Sequence, residues 1–479
     1  MIAVESAQVG GEVILETKAN RNASLDALRG LAISLMVLSS SIAFGVLPGW
    51  MYHAQVPPPG HWFRPELPGI TWVDLVFPLF LFSMGAALPL ALRKKTSSLP
   101  FYKVLMQIIY RYFFLIVFAF FTLYARAWVM QTKPGIKEYL ISILAFILLF
   151  VIYGDRKKMS LAQNWLLKIA GLLIAILFLI IYPFQNGFSI TNTDIIILVL
   201  ANMALFGSLI WWITKESWYL RIGILPFVMA VFLAAKSPGS INETIFNYTP
   251  AVWLYKFYYL KYLFMIIPGT LAGEWLQKAS SVETGETGQS RVSLTLIACL
   301  PALVVLINII CLYSRFLWTN LLASVLLSAL LIVSINRLAD SPGKVLFRKL
   351  TYAGTYLLLL GLFFEAYEGG IKKDISTYSY YFVTTGLAFL LLLLFLVLEM
   401  TGVFSRFMRL LADTGKNPMI AYTAGNLFLI PILKITGADL WLDLLNDSQW
   451  GGFLRGVIFT SIVALITIFF TRKKIFWRT

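Results

Sequence analysis

Long apolar stretches, separated by short polar segments, follow one another along almost the whole chain. Each is close to the ~20 residues that an α-helix needs to cross the hydrocarbon core of a bilayer. Their apolar positions are continuous rather than alternating, so the pattern favours membrane helices over the strands of a barrel. The pattern predicts spans at 25–47, 72–92, 103–124, 137–153, 165–182, 194–214, 222–235, 260–276, 293–312, 316–334, 351–367, 378–398, 417–433 and 454–471.

Two of these spans differ from the rest in length and in proline content. The spans 222–235 and 260–276 are short and contain Pro226 and Pro268. Proline removes a backbone donor and disturbs a helix interior, so either segment could be re-entrant or incomplete. We therefore predict an all-α, polytopic transmembrane bundle of about 12–14 helices.

Composition and charge agree with a membrane protein. The chain is 59% hydrophobic and 13% charged, whereas a soluble domain carries about 25% charged residues. Lysine and arginine number 25 in the segments that share a side with the N-terminus and 12 in the opposite segments. This bias predicts cytoplasmic termini and explains the net charge of +16 without a nucleic-acid partner. We expect a multi-pass protein of a bacterial inner membrane, with the lipid bilayer as its surroundings.

The predicted spans divide at one long polar linker. We predict a cytoplasmic N-terminal segment at 1–24, a first membrane half at 25–276, a flexible cytoplasmic linker at 277–292 and a second membrane half at 293–479. The chain has two cysteines, both in or beside an apolar run, so neither a disulfide framework nor a metal site is predicted.

The loop at 48–68, PGWMYHAQVPPPGHWFRPELP, contains both histidines of the protein, His53 and His61. Its prolines make it stiffer than a free linker. Histidine titrates near neutral pH and can act as a base, an acid or a nucleophile. Asp74, near the start of the next helix, either orients an imidazole or complements the helix dipole. These three residues are the candidate catalytic group, although loop histidines are often only solvated.

Basic residues flank the start of the first helix. Arg21 and Arg29 lie on either side of Asp26. They are interpreted either as topology charges with a local ion pair, or as an anion site for a cofactor phosphate on the cytoplasmic side.

Several motifs resemble one known family. SLDALRG at 24–30, the histidine loop and GITWVDLVFPLFLFSMG at 69–85 resemble heparan-alpha-glucosaminide N-acetyltransferase and its bacterial membrane relatives. Both ends of the chain resemble this family, and the middle matches it poorly. Further similar stretches are LWTNLLAS at 317–324 or else IKKDISTYSYYFVTTGLA at 371–388, GKNPMIAY at 415–422, and RKKIFW at 472–477.

The resemblance implies an activity. An acetyl group would pass from cytoplasmic acetyl-CoA, the co-substrate, to an amino-sugar or glycan acceptor on the far side of the membrane. The catalytic residue would be a loop histidine, with no metal. Trp50-x-x-His53-Ala54 resembles the family's local context, whereas His61 lies nearer Asp74 in the sequence. We favour His53 slightly and keep both.

The resemblance also suggests cofactor-binding residues. Ser40 stands where the family has an asparagine near the end of the first helix, and Asn417 belongs to the GKNPMIAY stretch. We expect Arg21, Arg29, Ser40 and Asn417 to contact acetyl-CoA.

The same sequence also permits a different class of protein. Many spans, proline-broken helices and acidic residues near span ends are typical of a transporter or flippase of a sugar or lipid-linked substrate. The family's acidic-glycine motif is missing here, where YYLKYLFMIIPGTLAG stands at 258–273. The acceptor, a homo-oligomeric state, and the choice between direct transfer and an acetyl-enzyme stay open.

Overall fold

The computed structural model describes residues 22–156, 159–280 and 291–479. Arg21, with most of the predicted N-terminal segment and of the 277–292 linker, lies outside the described residues. Within them the chain is helical and contains no strand, which confirms the all-α prediction.

Nineteen α-helices follow one another along the described chain. The first ten are α1 Ala23–Ser41, α2 Trp72–Ser98, α3 Phe101–Tyr124, α4 Ala127–Met130, α5 Ile136–Tyr153, α6 Leu161–Ile181, α7 Ile195–Ile213, α8 Trp218–Ala234, α9 Ile241–Asn247 and α10 Leu263–Ser280. The remaining nine are α11 Arg291–Ser314, α12 Leu317–Asn336, α13 Pro342–Tyr367, α14 Tyr378–Thr401, α15 Ser405–Gly415, α16 Pro418–Ala424, α17 Ile430–Thr436, α18 Asp439–Asp443 and α19 Gln449–Arg472.

Twelve helical segments of the described chain are long and apolar enough to cross a membrane, and one of them is the continuous run α16–α17. The predicted polytopic bundle is confirmed, and the protein is an integral multi-pass membrane protein. The two short segments that contain prolines, expected to be re-entrant or incomplete, are α8 and α10. Both continue as helices through Pro226 and Pro268. A π-helical turn at Gly425–Leu429 joins α16 to α17.

Several predicted boundaries were wrong by more than a turn, and two of them have a clear structural cause. The first span was expected to reach residue 47, but α1 ends at Ser41, where the chain turns onto α19 and Ala43 N donates to Gly452 O at 3.2 Å. The span expected to begin at 351 begins instead at Pro342. There the Ser341 side chain accepts a hydrogen bond from Lys344 N, a capping arrangement that starts a helix within a polar stretch.

Glycines allow two pairs of helices to come into backbone contact. A Cβ added at Gly30 of α1 would lie 1.8 Å from Leu411 O of α15, and one at Gly85 of α2 would lie 2.4 Å from Ile266 O of α10. Small residues allow such close approach between membrane helices. The pairs α1–α15 and α2–α10 are therefore held at short separation.

Contacts between loops define two ends of the bundle. At the histidine-loop end, Gly69 N donates to Ile371 O at 2.7 Å, which joins the histidine loop to the loop between α13 and α14. At the termini end, Ser24 of α1 donates to Glu399 of α14. The C-terminal segment lies at this same end, where Asn417 donates to Ile475 O at 2.7 Å.

Candidate functional site

His53 lies between two carboxylates at the histidine-loop end. Its Nδ1 is 3.0 Å from Asp74 Oδ1, and its Nε2 donates to Asp374 Oδ2 at 2.6 Å. The Gln55 backbone N–H also approaches Nδ1, at 3.2 Å. Asp74 Oδ1 lies nearer to Nδ1 than the Gln55 nitrogen does, and its negative charge favours a proton on Nδ1. The two carboxylates thus come from different parts of the chain, one from α2 and the other from the α13–α14 loop.

Asp74 is wholly buried and is fixed by the chain around it. Its Oδ2 accepts from Thr71 N at 2.9 Å and from Ala54 N at 3.2 Å. Lys373 Nζ lies 3.7 Å from Oδ1, and Tyr380 of α14 donates to the Asp74 carbonyl at 2.8 Å. Because the carboxylate binds both the loop before α2 and the histidine, it sets the position of the imidazole.

The carboxylates determine the protonation of His53. Burial alone would lower the pKa of His53, but hydrogen bonds to Asp374 and Asp74 outweigh burial and raise that pKa above the usual 6.5. The pair of carboxylates therefore keeps the imidazolium form of His53 to a higher pH than in a free histidine.

Residues that flank Asp374 are anchored in the bundle. Lys261 Nζ donates to Ser376 O at 2.5 Å, and the Ser376 hydroxyl lies 2.8 Å from Tyr258 OH and 2.9 Å from Tyr381 OH. Burial lowers the pKa of Lys261 to about 8, with the charge of Glu368 opposing that shift. The loop is thus fixed on the C-terminal side of Asp374.

His61 occupies a different environment. Its ring lies between Phe44 and Tyr52, at centroid distances of 3.9 and 4.7 Å, and its Nδ1 is 3.2 Å from Val56 O. These contacts are typical of a packing residue that shapes the loop. The structure brings His53 rather than His61 to Asp74.

A cavity of about 580 Å³ lined by three arginines, Arg29, Arg111 and Arg478, lies in the interior towards the termini end, and we name it the arginine cavity. Arg29 donates to Asp26 Oδ1 at 3.2 Å and to Ser83 O at 3.4 Å. Arg111 of α3 lines the same cavity and makes no hydrogen bond or ion pair with any residue that the structure describes. A guanidinium without a partner at membrane depth is costly, which makes this cavity a candidate site for an anion.

One face of α2 runs along the arginine cavity towards the histidine site. The face consists of Phe77, Phe80, Met84, Ala87 and Ala91, which line the cavity at helical spacing. Phe77 lies one turn, about 5 Å along the helix axis, from Asp74. The cavity therefore extends along α2 towards the histidine site.

One other expected cofactor residue, Ser40, does not lie with Arg29. Ser40 is near the opposite end of α1, where it donates to Val37 O at 2.9 Å. It lines a second cavity of about 550 Å³, the Ser40 cavity, with Phe44, Tyr52, Asn446 and Arg455 among its other residues.

Asn417 has a structural partner at each end of its amide. It donates to Ile475 O at 2.7 Å and accepts from Trp477 N at 3.2 Å. It therefore fixes the C-terminal segment, whose Trp477 lines the arginine cavity. Arg21 lies outside the described residues.

Sequence reasoning missed three residues of these sites. Asp374 and Lys373 belong to the stretch 371–388, whose resemblance to the family assigns them no role, and their charges in a predicted outer loop were the available signal. Arg111 had no assignment, although an arginine inside an apolar span is itself a signal of function.

The fold and these two sites define a class: a multi-pass helical membrane protein with a histidine–carboxylate site at one end and a cationic cavity towards the other. A family model described as a domain of unknown function, DUF5009, matches residues 21–276, more than half of the chain. The chain belongs to this family. Among curated proteins, none matches it.

Proposed function

We propose that the protein is a membrane acyltransferase that moves an acetyl group from cytoplasmic acetyl-CoA to an amino-sugar acceptor on the other side of an inner membrane. The observation that carries this proposal is the relation between the two sites. His53, a loop residue held between Asp74 and Asp374, lies beside the first turn of α2, and the same helix lines the arginine cavity towards its other end. A reaction between substrates from opposite faces needs two sites that face each other within the bundle, and their shared helix supports this arrangement.

The arginine cavity suits the donor substrate. Acetyl-CoA carries phosphates at one end and a thioester at the end of a long flexible arm. Guanidinium groups bind phosphates by charge-assisted hydrogen bonds, which Arg29 and Arg111 could supply. The apolar face of α2, from Phe77 to Ala91, would accommodate the arm and lead the thioester towards His53.

The histidine site suits an amine acceptor. In the direct route the amine nitrogen attacks the thioester carbon, and the C–N bond forms as the C–S bond breaks. His53 Nε2 takes a proton from the nitrogen, and the departing thiolate is protonated to the free thiol of CoA. Asp74 holds the other ring nitrogen and so keeps Nε2 basic. A route through an acetylated histidine would use the same nitrogen.

The resemblance to heparan-alpha-glucosaminide N-acetyltransferase supports an amino sugar as acceptor. The excess of basic residues at the termini end supports a cytoplasmic location for that end, and hence an outward-facing histidine loop.

The test is acetyl transfer by the purified protein. We expect label from acetyl-CoA to appear on glucosamine or a related amino sugar, and not on N-acetylglucosamine, whose nitrogen is already acylated. If no amine is labelled, while proteoliposomes move a labelled sugar without acetyl-CoA, the transporter hypothesis replaces this one.

A further inference from the structure

The two carboxylates that flank His53 differ in their exposure. The side chain of Asp74 is 0% exposed and that of Asp374 is 44% exposed. Asp74 has several partners, whereas the Asp374 carboxylate has only His53 as a hydrogen-bond or ion-pair partner among the residues that the structure describes. Asp374 is therefore the residue of the site that can release His53 and bind a molecule from solvent in its place.

The contact with Asp374 conflicts with the proposed role of His53 as a general base. A base must offer a lone pair on Nε2, and in the structure this nitrogen donates to Asp374 Oδ2 at 2.6 Å. An imidazolium held between two carboxylates has no lone pair to offer. The contact must therefore open before His53 can accept a proton.

A primary amine of a sugar arrives at neutral pH largely as an ammonium group. An ammonium ion has three donors and a positive charge, so a partly exposed carboxylate is a suitable partner. We propose that Asp374 is the binding site for the acceptor's ammonium group, and that its contact with His53 closes the site until an acceptor arrives. This inference rests on the proposed function for the identity of the amine.

The exchange has a defined proton balance. In the free protein His53 carries two ring protons and is paired with Asp374. When an ammonium group binds the Asp374 carboxylate, this carboxylate no longer stabilises the imidazolium, and His53 Nε2 releases its proton to solvent. The charge beside Asp374 is preserved because one cation replaces another. Nε2 then accepts a proton from the bound ammonium group, which leaves a neutral amine with a lone pair. As this amine attacks the thioester carbon, its surplus N–H proton passes to the departing thiolate, and the protonated His53 pairs again with Asp374.

Other charged groups near His53 fit this exchange. Asp74 on α2 stays paired with Nδ1, and Lys373 contributes a positive charge 3.7 Å from Asp74 Oδ1. The tyrosines Tyr262 and Tyr380 lie within electrostatic range of Asp374. Burial and Lys373 thus favour a neutral His53 once Asp374 is engaged elsewhere, and Asp74 then keeps the remaining ring proton on Nδ1.

Histidine-labelled protein gives a direct readout, because the chain has only two histidines. The His61→Gln variant assigns the two imidazole signals in nuclear magnetic resonance spectra. At a pH just below the pKa of His53, we expect glucosamine to convert His53 from imidazolium to the neutral form. N-acetylglucosamine, which has no ammonium group, should leave it charged.

Variants of Asp374 complete the test. In Asp374→Asn we expect a lower pKa of His53 without ligand, and at least about tenfold weaker binding of glucosamine. Asp374→Glu should restore part of the response, and Asp447→Asn, an exposed carboxylate at the same end, should match the wild type.

Two results would overturn the inference: a His53 signal that glucosamine does not change in the wild type, or equal glucosamine binding in Asp374→Asn and wild type. The spectra do not depend on turnover. A His53 response without acetyl transfer would therefore support the ammonium site while rejecting the acyltransferase function.

Discussion

His53 Nδ1 and Asp74 Oδ1 lie 3.0 Å apart, although His53 belongs to a loop and Asp74 to the first turn of α2. The same carboxylate accepts hydrogen bonds from the backbone of Ala54 and Thr71, so a single buried side chain fixes both the histidine and its loop. This relation orients His53 with Nε2 directed towards Asp374.

Asp74→Asn should reduce turnover by about 10²–10⁴-fold, similar to the loss of the base itself. The new amide nitrogen would donate to Nδ1 and force the ring proton onto Nε2, which then has no lone pair. Turnover and acetyl-CoA binding should be measured in one detergent. Asp447→Asn is the control, and an Asp74→Asn enzyme with wild-type turnover would exclude an orienting role.

The pH dependence should reveal the raised pKa of His53. The base acts when neutral, so kcat/KM should rise with pH and reach half its plateau above pH 6.5. The free energy of unfolding should change with pH in the opposite direction. A raised folded-state pKa stabilises the protein at low pH, and this contribution is lost as pH rises through that pKa. His53→Gln should abolish this part of the thermal-stability profile. A midpoint below 6.5 for wild type would contradict the observed pairing.

Arg111→Gln should weaken binding of acetyl-CoA without affecting the histidine site. Since Arg111 lines the arginine cavity and has no partner among the described residues, its charge is available to a phosphate. Saturating acetyl-CoA should raise the apparent Tm of the wild type, and the same concentration should raise that of Arg111→Gln less. Arg409→Gln, on the exposed side of α15, is the matched control. Equal shifts in all three proteins would argue against the cavity as the donor site.

Gly85→Ala should destabilise the bundle. The added methyl group would lie 2.4 Å from Ile266 O, so α2 and α10 would have to separate, at a cost of about 1–3 kcal/mol typical of overpacking. Gly223→Ala in α8 adds the same methyl group where nothing lies within 4 Å, and should be neutral or stabilising. The apparent Tm of both variants checks this, and equal values would show that the contact is not tight.

The sequence predicted the helices well because membrane spans are determined by local composition. The apolar runs at 72–92 and 378–398 correspond to α2 and α14, since a lipid-exposed backbone must satisfy its own hydrogen bonds. The end of α1 was missed because Ser41 is followed by apolar residues whose turn depends on contact with Gly452 of α19. No local pattern contains that contact.

The candidate site was only half predicted, for a similar reason. His53 and Asp74 are near one another in the sequence and were proposed together. Asp374 comes from a loop some 300 residues later, and only the packing of α14 against α2 brings it to His53. The choice between His53 and His61 also needed tertiary contacts, because the rings of Phe44 and Tyr52 hold His61 away from Asp74.

The most direct measurement compares His53→Ala with His61→Ala for acetyl transfer from labelled acetyl-CoA to an amino sugar. We expect His53→Ala to lose about 10²–10⁴-fold in turnover, because it removes the base, while acetyl-CoA binding survives. His61→Ala should keep most of its turnover and lose mainly loop stability. Near wild-type turnover in His53→Ala, measured on a folded sample that binds acetyl-CoA, would contradict the central claim that His53 carries the reaction.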